Sequence, residues 1–89
     1  MQILTVKIIN KLGLHARASA KFVATAAKYQ SHIEVIKDQK IVNGKSIMGV
    51  MMLSASQNTL LELRIDGPDE EAMLQALVQL IERRFDEDE

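Results

Sequence analysis

The feature that most constrains the fold is the rapid alternation of two apolar patterns along only 89 residues. Segments with apolar residues at every second position predict strands, whereas apolar residues three and four positions apart predict helices. These segments follow one another as strand, helix, strand, strand, helix, strand and helix, with connections of a few residues. The sequence therefore predicts a single domain over residues 1–89 with no long structureless loop.

The alternating pattern predicts four strands, at residues 2–9, 32–37, 40–42 and 59–66. The last is the clearest, because Leu61, Leu63 and Ile65 alternate with charged residues. Leu4, Val6 and Ile8 are expected to share one face of the first strand. Such strands, each apolar on one side, must pair into a sheet whose apolar face is covered.

The helical pattern predicts helices from residue 16 to 27 or 28, from 47 to about 53, and after Pro68. In the last helix the apolar positions are Met73, Leu77, Leu80, Ile81 and Phe85. Residues 86–89 are all acidic, and acids at a helix C-terminus oppose the dipole and repel one another, so we expect a frayed tail without a function there. The predicted fold class is an α+β open-faced β-sandwich, a four-stranded, mostly antiparallel sheet covered on one face by three helices.

Composition excludes several classes of function. The sequence has no cysteine, and its two histidines lie on different predicted elements, so neither a disulfide framework nor a metal site is expected, and no cofactor is indicated. No apolar run approaches the length of about 20 residues that spans a bilayer, and no signal segment is visible. We therefore expect a cytoplasmic protein without membrane insertion.

Charge is distributed unevenly between the two halves of the chain. Residues 1–45 carry eight basic and two acidic side chains, whereas residues 46–89 carry three basic and ten acidic ones. A basic half suits encounter with an acidic or phosphorylated protein, although a solvated face explains the same pattern equally well. With no Trp, one Tyr and two Phe, the chain lacks the aromatic residues that stack on bases, so nucleic acid is not an expected partner.

Residues 11–22 contain the first candidate site. Gly13 permits a tight turn, and the helix that follows begins with amide N–H groups that have no intrahelical partner. His15 and Arg17 stand at this helix start, where the amides, the dipole and a guanidinium favour an anion such as a phosphoryl group on the imidazole. The alternative is that His15 is only a capping or solvated residue.

Residues 43–51 contain the second candidate site. Ser46 is placed to cap the second helix by accepting a hydrogen bond from the Gly49 amide. An exposed serine at a helix start can also carry a phosphate, which is the functional alternative. Met48, Met51 and Met52 cannot all face inward on so short a helix, so at least one is expected on the surface, where flexible thioethers suit several partners.

These two stretches, Gly13-Leu14-His15-Ala16-Arg17 and Lys45-Ser46-Ile47-Met48, closely resemble HPr, the histidine phosphocarrier of the bacterial phosphoenolpyruvate-dependent phosphotransferase system, and the resemblance covers nearly the whole chain. It implies that His15 accepts phosphate on Nδ1 from enzyme I and passes it to an enzyme IIA domain. It also implies that Arg17 stabilises the phosphate and that an HPr kinase/phosphorylase modifies Ser46 in some lineages. The docking residues that it implies are Ala16, Ala20, Ile47, Met48 and Met51.

One position departs from the common pattern of the sugar branch. The proline that usually follows the arginine is Ala18 here, and the local sequence looks more like the nitrogen-branch carrier NPr. The acceptor can therefore be a regulatory enzyme IIA or a permease-linked one. An independent enzyme is disfavoured because the sequence has no catalytic triad or nucleotide-binding loop. A non-catalytic regulatory module would need a ligand cleft or a symmetric sheet edge, for which no residues are visible, and a binding-only relative of the same fold is expected to lack the histidine. His32, at a polar strand start, is given no role. The expected function is a carrier and not a turnover catalyst.

Overall fold

The computed structural model describes residues 1–89 and contains the predicted seven elements in the predicted order. No helix in it combines the length and the apolar composition that crossing a bilayer requires. The first strand ends at Lys7 instead of Ile9, and the last helix ends at Glu82, before Phe85. The elements are β1 (Gln2–Lys7), α1 (Ala16–Ala26), β2 (His32–Lys37), β3 (Lys40–Asn43), α2 (Ile47–Met52), β4 (Leu60–Asp66) and α3 (Glu70–Glu82), followed by a 3₁₀ turn at Arg84–Asp86.

The four strands form one sheet in the order β1-β4-β2-β3, with every neighbouring pair antiparallel. This confirms the predicted fold class. Leu63 lies opposite Leu4 on one side and Val35 on the other, so apolar residues run in a row across the inner face. The central strand β4 is buried on that face, as its regular alternation predicts.

The core lies between this inner face and the three helices. Ala18, Phe22 and Ala26 form the buried stripe of α1, as their four-residue spacing predicts. All five predicted apolar positions of the last helical segment are buried too. The inward face of β1 is less covered than expected, since only Ile8 is fully buried and Leu4 remains 39% exposed. β1 is an edge strand with one neighbour, which explains the difference.

The C-terminal segment differs from the frayed tail expected over residues 86–89. α3 ends at Glu82, and Arg84, Phe85 and Asp86 take positive φ angles that turn the chain back. Phe85 is fully buried, and the Glu89 carbonyl accepts a hydrogen bond from the Lys11 amide at 2.6 Å. Because the helix ends early, the acids no longer line up with its dipole and instead meet the basic N-terminal half.

Candidate functional site

His15 is positioned by a tight turn at Gly13. Gly13 has a φ of +69°, and a Cβ at this position would lie 2.3 Å from the Ala55 carbonyl oxygen, so only glycine fits. The next residue, Leu14, is buried and donates its amide hydrogen to the same carbonyl at 2.8 Å. The turn is thus fixed against the segment before β4, and it places His15 at the N-cap of α1.

The two ring nitrogens of His15 have different partners. Nδ1 accepts a hydrogen bond from the Arg17 amide at 3.3 Å, and Nε2 contacts the Glu87 carboxylate. An ionised carboxylate only accepts hydrogen bonds, so Nε2 must carry the proton that joins it to Glu87. The neutral ring therefore has its proton on Nε2 and its lone pair on Nδ1, directed towards the start of the helix.

Glu87 is held by a second hydrogen bond. Its other carboxylate oxygen accepts from Asn10 Nδ2 at 3.0 Å, and the same Nδ2 donates to the Gly13 carbonyl at 2.9 Å. Burial raises the pKa of Glu87, but the hydrogen bonds from Asn10 and His15 outweigh it, so this pKa lies below its ordinary value of about 4.5. Glu87 is therefore ionised at neutral pH.

The start of α1 leaves donors beside the ring. The first intrahelical hydrogen bond runs from the Ser19 amide to the His15 carbonyl at 2.9 Å, so the amides of residues 16–18 precede the regular bonding. The buried Ser19 hydroxyl donates to the Leu14 carbonyl at 3.1 Å, and this hydrogen bond joins α1 to the turn before His15. Together with the exposed Arg17, these amides can receive an anion at Nδ1.

A groove lined by side chains of both charges runs past His15. Its lining includes the basic residues Lys11, Arg17 and Lys21 and the acidic residues 86–89. Lys21 Nζ donates to the Phe85 carbonyl at 2.8 Å and lies 3.7 Å from an Asp86 carboxylate oxygen. The basic half of the sequence and its acidic end thus meet at this groove. No cluster of three or more His, Cys, Asp or Glu side chains is arranged to hold a metal ion.

Ser46 caps α2 as the sequence predicts. Its Oγ accepts from the Gly49 amide at 3.0 Å. Of the neighbouring candidates, Ile47 is 44% exposed, Met48 is 68% exposed and Met51 is half-buried. Two of the three α2 methionines are on the surface, since Met52 is also 60% exposed, which confirms the prediction of at least one.

The remaining candidates lie on α1, which packs against α2. Ala16 is exposed and Ala20 is half-buried, so both are on the side of α1 away from its buried stripe. His32 lies apart from His15, with an exposed side chain 4.0 Å from Glu34 at the start of β2.

Sequence reasoning missed two residues of this site, Asn10 and Glu87. Asn10 is a buried polar residue in a short connection, and no pattern in the neighbouring residues predicts that it binds Glu87 and the Gly13 carbonyl. A signal for Glu87 did exist: Phe85 continues the apolar spacing of α3, so it could anchor the acids that follow next to the basic half. The sequence interpretation instead took those acids to oppose the helix dipole and to form a frayed tail without a function, which the contact of Glu87 with His15 contradicts.

Comparison with known proteins gives consistent results. A family model described as the PTS HPr component phosphorylation site matches residues 4–83. The phosphocarrier protein HPr of Xylella fastidiosa is 56% identical over 81 residues, covering 91% of each chain, and that of Pseudomonas aeruginosa is 52% identical with full coverage of both. A crystal structure of HPr from Thermoanaerobacter tengcongensis superposes with a TM-score of 0.96 and 52% identity over the whole of both chains.

Proposed function

Because the chain belongs to the HPr family of phosphocarrier proteins of the phosphotransferase system, we propose that it carries a phosphoryl group on Nδ1 of His15. The observation that supports this is the pair of hydrogen bonds on the ring. Nε2 is protonated and engaged with Glu87, while the Nδ1 lone pair faces the helix start. A nucleophile needs an unprotonated lone pair. The Nδ1 lone pair is occupied only by the 3.3 Å hydrogen bond from the Arg17 amide, which the incoming phosphoryl group would displace.

The proposed transfer needs no proton to leave the attacking atom. The Nδ1 lone pair forms a bond to phosphorus as the bond between phosphorus and the donor atom breaks. The ring keeps its Nε2 proton and becomes cationic, and the amides of residues 16–18 and the Arg17 guanidinium receive the phosphoryl oxygens. Passing the group on reverses these steps and restores the neutral ring. The protein is therefore a carrier that is regenerated unchanged, not an independent catalyst.

The proposed partners are enzyme I as donor and an enzyme IIA domain as acceptor. Docking would use Ala16 and Ala20 on α1 with Ile47, Met48 and Met51 on α2. Small side chains on one helix and exposed, flexible thioethers on its neighbour support a surface that fits more than one partner. The exposed Arg17 forms no ion pair with the acidic tail, unlike Lys11 and Lys21, and its free charge favours an acidic or phosphorylated partner.

Ser46 is proposed as a regulatory phosphorylation site for an HPr kinase/phosphorylase. It precedes the exposed Ile47 and Met48, so a phosphate there would place negative charge at the edge of the docking surface. The same hydroxyl caps α2, so a cap alone is the competing role.

The nitrogen branch is the second candidate for the pathway of this carrier. Ala18, in place of the usual proline, supports an NPr-like role in regulation. Ala18 lies in the first turn of α1 and is fully buried. Because proline is tolerated in the first turn of a helix, either residue can occupy this position without changing the chemistry at His15. The residue at position 18 is thus proposed to mark the branch and not to alter the reaction.

The experiment that tests this function uses labelled phosphoenolpyruvate with enzyme I proteins of the sugar and nitrogen branches. We expect an acid-labile label on the parent protein and none on His15→Ala, which should fold normally because a partly exposed N-cap contributes little packing. The preferred enzyme I identifies the branch. A label retained by His15→Ala would contradict the assignment.

A further inference from the structure

The C-terminal segment contributes a side chain to the His15 site although it lies beyond the residues that the family model matches. The family model matches residues 4–83, whereas Glu87 belongs to the turned-back segment that begins at Arg84. Its carboxylate is nevertheless the partner of His15 Nε2. The match to the family model therefore says nothing about the role of this contact.

We propose that Glu87 is a positioning residue for phosphoryl transfer: it holds His15 in the tautomer that leaves Nδ1 unprotonated and keeps the proton on Nε2 while the group is carried. The inference rests on the proposed function of His15 as the phosphoryl acceptor. Glu87 does not touch the phosphoryl group, because it contacts the ring nitrogen opposite to Nδ1.

The position of Glu87 is fixed from two directions. Asn10 is fully buried and donates both amide hydrogens, one to Glu87 and one to the Gly13 carbonyl. The reverse orientation of the Asn10 amide would direct its oxygen at two acceptors, so the observed one is the only orientation that bonds. The turn that positions His15 and the carboxylate that holds its ring are therefore joined through a single side chain.

The tail itself is tied down on both sides of Glu87. Lys21 donates to the Phe85 carbonyl before it, and Lys11 contacts Glu89 after it through the backbone and through an ion pair of 3.2 Å. The Glu87 side chain is only 13% exposed. Such a carboxylate is far more ordered than one on a free chain end, so it can orient an imidazole.

The chemistry explains why orientation matters here. A neutral imidazole in water exchanges its proton between the two nitrogens. With the proton on Nδ1, that nitrogen has no lone pair for a bond to phosphorus until the proton has left. A carboxylate at Nε2 selects the other tautomer and faces the positive charge that the ring gains on phosphorylation, the role an aspartate plays towards histidine in catalytic triads.

A different role for the tail would have the opposite effect. If the acids only covered the groove or repelled the incoming phosphate, their removal would speed phosphoryl acceptance. The two ideas therefore predict rate changes of opposite sign for the same variant.

The test compares the parent with Glu87→Ala, which removes both acceptor oxygens. The matched control is Glu82→Ala, which removes the same side chain from an exposed position at the end of α3, outside the groove and without a hydrogen bond or ion pair. The first readout is the ¹⁵N NMR shift of the two His15 nitrogens in the unphosphorylated proteins, which distinguishes a protonated nitrogen from a bare one. The second is the rate of labelling from phosphoenolpyruvate and enzyme I.

We expect the parent and Glu82→Ala to show a protonated Nε2 and a bare Nδ1, whereas Glu87→Ala shows a mixture of tautomers and a labelling rate lower by roughly 10-fold. An unchanged tautomer in Glu87→Ala, or an unchanged or faster labelling rate, would overturn the inference. Failure of the proposed function looks different, because the parent itself would then take no label. The NMR measurement decides the tautomer in either case.

Discussion

Asp69 and Ser31 join the start of α3 to the start of β2 across 38 residues of sequence. Asp69 accepts from the Ser31 hydroxyl and from its amide at 2.9 Å, and also from the Gln30 amide at 2.8 Å. Asp69 stands at the N-cap of α3 but makes no side-chain cap to its own helix. Glu70 reaches back instead and accepts from the Gly67 amide at 3.1 Å.

The Asp69 contacts predict a pH-dependent stability. The Ser31 hydroxyl, followed by the backbone amides, holds the pKa of Asp69 below its ordinary value of about 3.8. A carboxyl with a lowered folded-state pKa stabilises the protein above its ordinary value, and this stabilisation is lost as the pH falls through the folded-state pKa. Urea unfolding of Asp69→Asn should therefore show the largest deficit near neutral pH and a shrinking one below about pH 3.8.

The matched control for this experiment is Glu71→Gln, an exposed acid in the same first turn of α3. It removes the same charge near the helix dipole without removing the link to Ser31. A deficit in Asp69→Asn that stays constant across the pH range would show that the charge of Asp69 is irrelevant to the link.

Gly13→Ala should destabilise the protein strongly. The added Cβ meets the Ala55 carbonyl oxygen at 2.3 Å in a backbone conformation that costs a side-chain residue about 1–3 kcal/mol on its own. Gly49→Ala is the comparison, since Gly49 lies within α2 and its nearest neighbour would be Ser46 Oγ at 3.2 Å. Urea titration should give a clearly larger loss for Gly13→Ala, and equal losses would mean that the turn can relax.

Arg17→Ala should slow phosphoryl transfer without abolishing it. The helix amides still receive the phosphoryl group, so the expected cost is about 1–3 kcal/mol of transition-state stabilisation for one charge-assisted contact. Single-turnover labelling from enzyme I measures it. Lys28→Ala, an exposed basic residue just beyond α1, controls for the change in net charge. Equal rates for the two variants would exclude a direct role for the Arg17 guanidinium.

Ser46 variants should separate capping from regulation. Ser46→Ala should lose about 0.5–2 kcal/mol of stability, because the Gly49 amide loses its acceptor, while Ser46→Asp keeps an acceptor and suits the helix dipole. Phosphoryl acceptance should show the opposite order, weakened in Ser46→Asp and nearly unchanged in Ser46→Ala. Thermal melting measures the effect on stability, and titration against enzyme I measures the effect on binding. If Ser46→Asp binds enzyme I as tightly as the parent, Ser46 acts only as a helix cap and has no regulatory role.

Sequence patterns predicted the elements because apolar periodicity reports directly which face of a helix or strand is buried. They predicted less about β1, since nothing local reveals that this strand lies at the edge and leaves Leu4 partly exposed. The tail was the least predictable part. Three consecutive non-glycine residues with positive φ have no sequence signal, and the contact of Glu87 with His15 spans 72 residues. Long-range contacts of this kind depend on the completed tertiary structure.

The strand order also sets a condition on how the chain can fold during synthesis. β4 lies between β1 and β2 and pairs with both. Neither β1 nor β2 can therefore pair with β4 until the chain has been synthesised as far as residue 66. Before then only the β2–β3 hairpin can pair, and an isolated hairpin is marginal in water. Closing β1 onto β4 requires the ordering of a loop of more than 50 residues, a non-local step of the kind that slows folding. Chains truncated before β4 should thus stay protease-sensitive whatever their length.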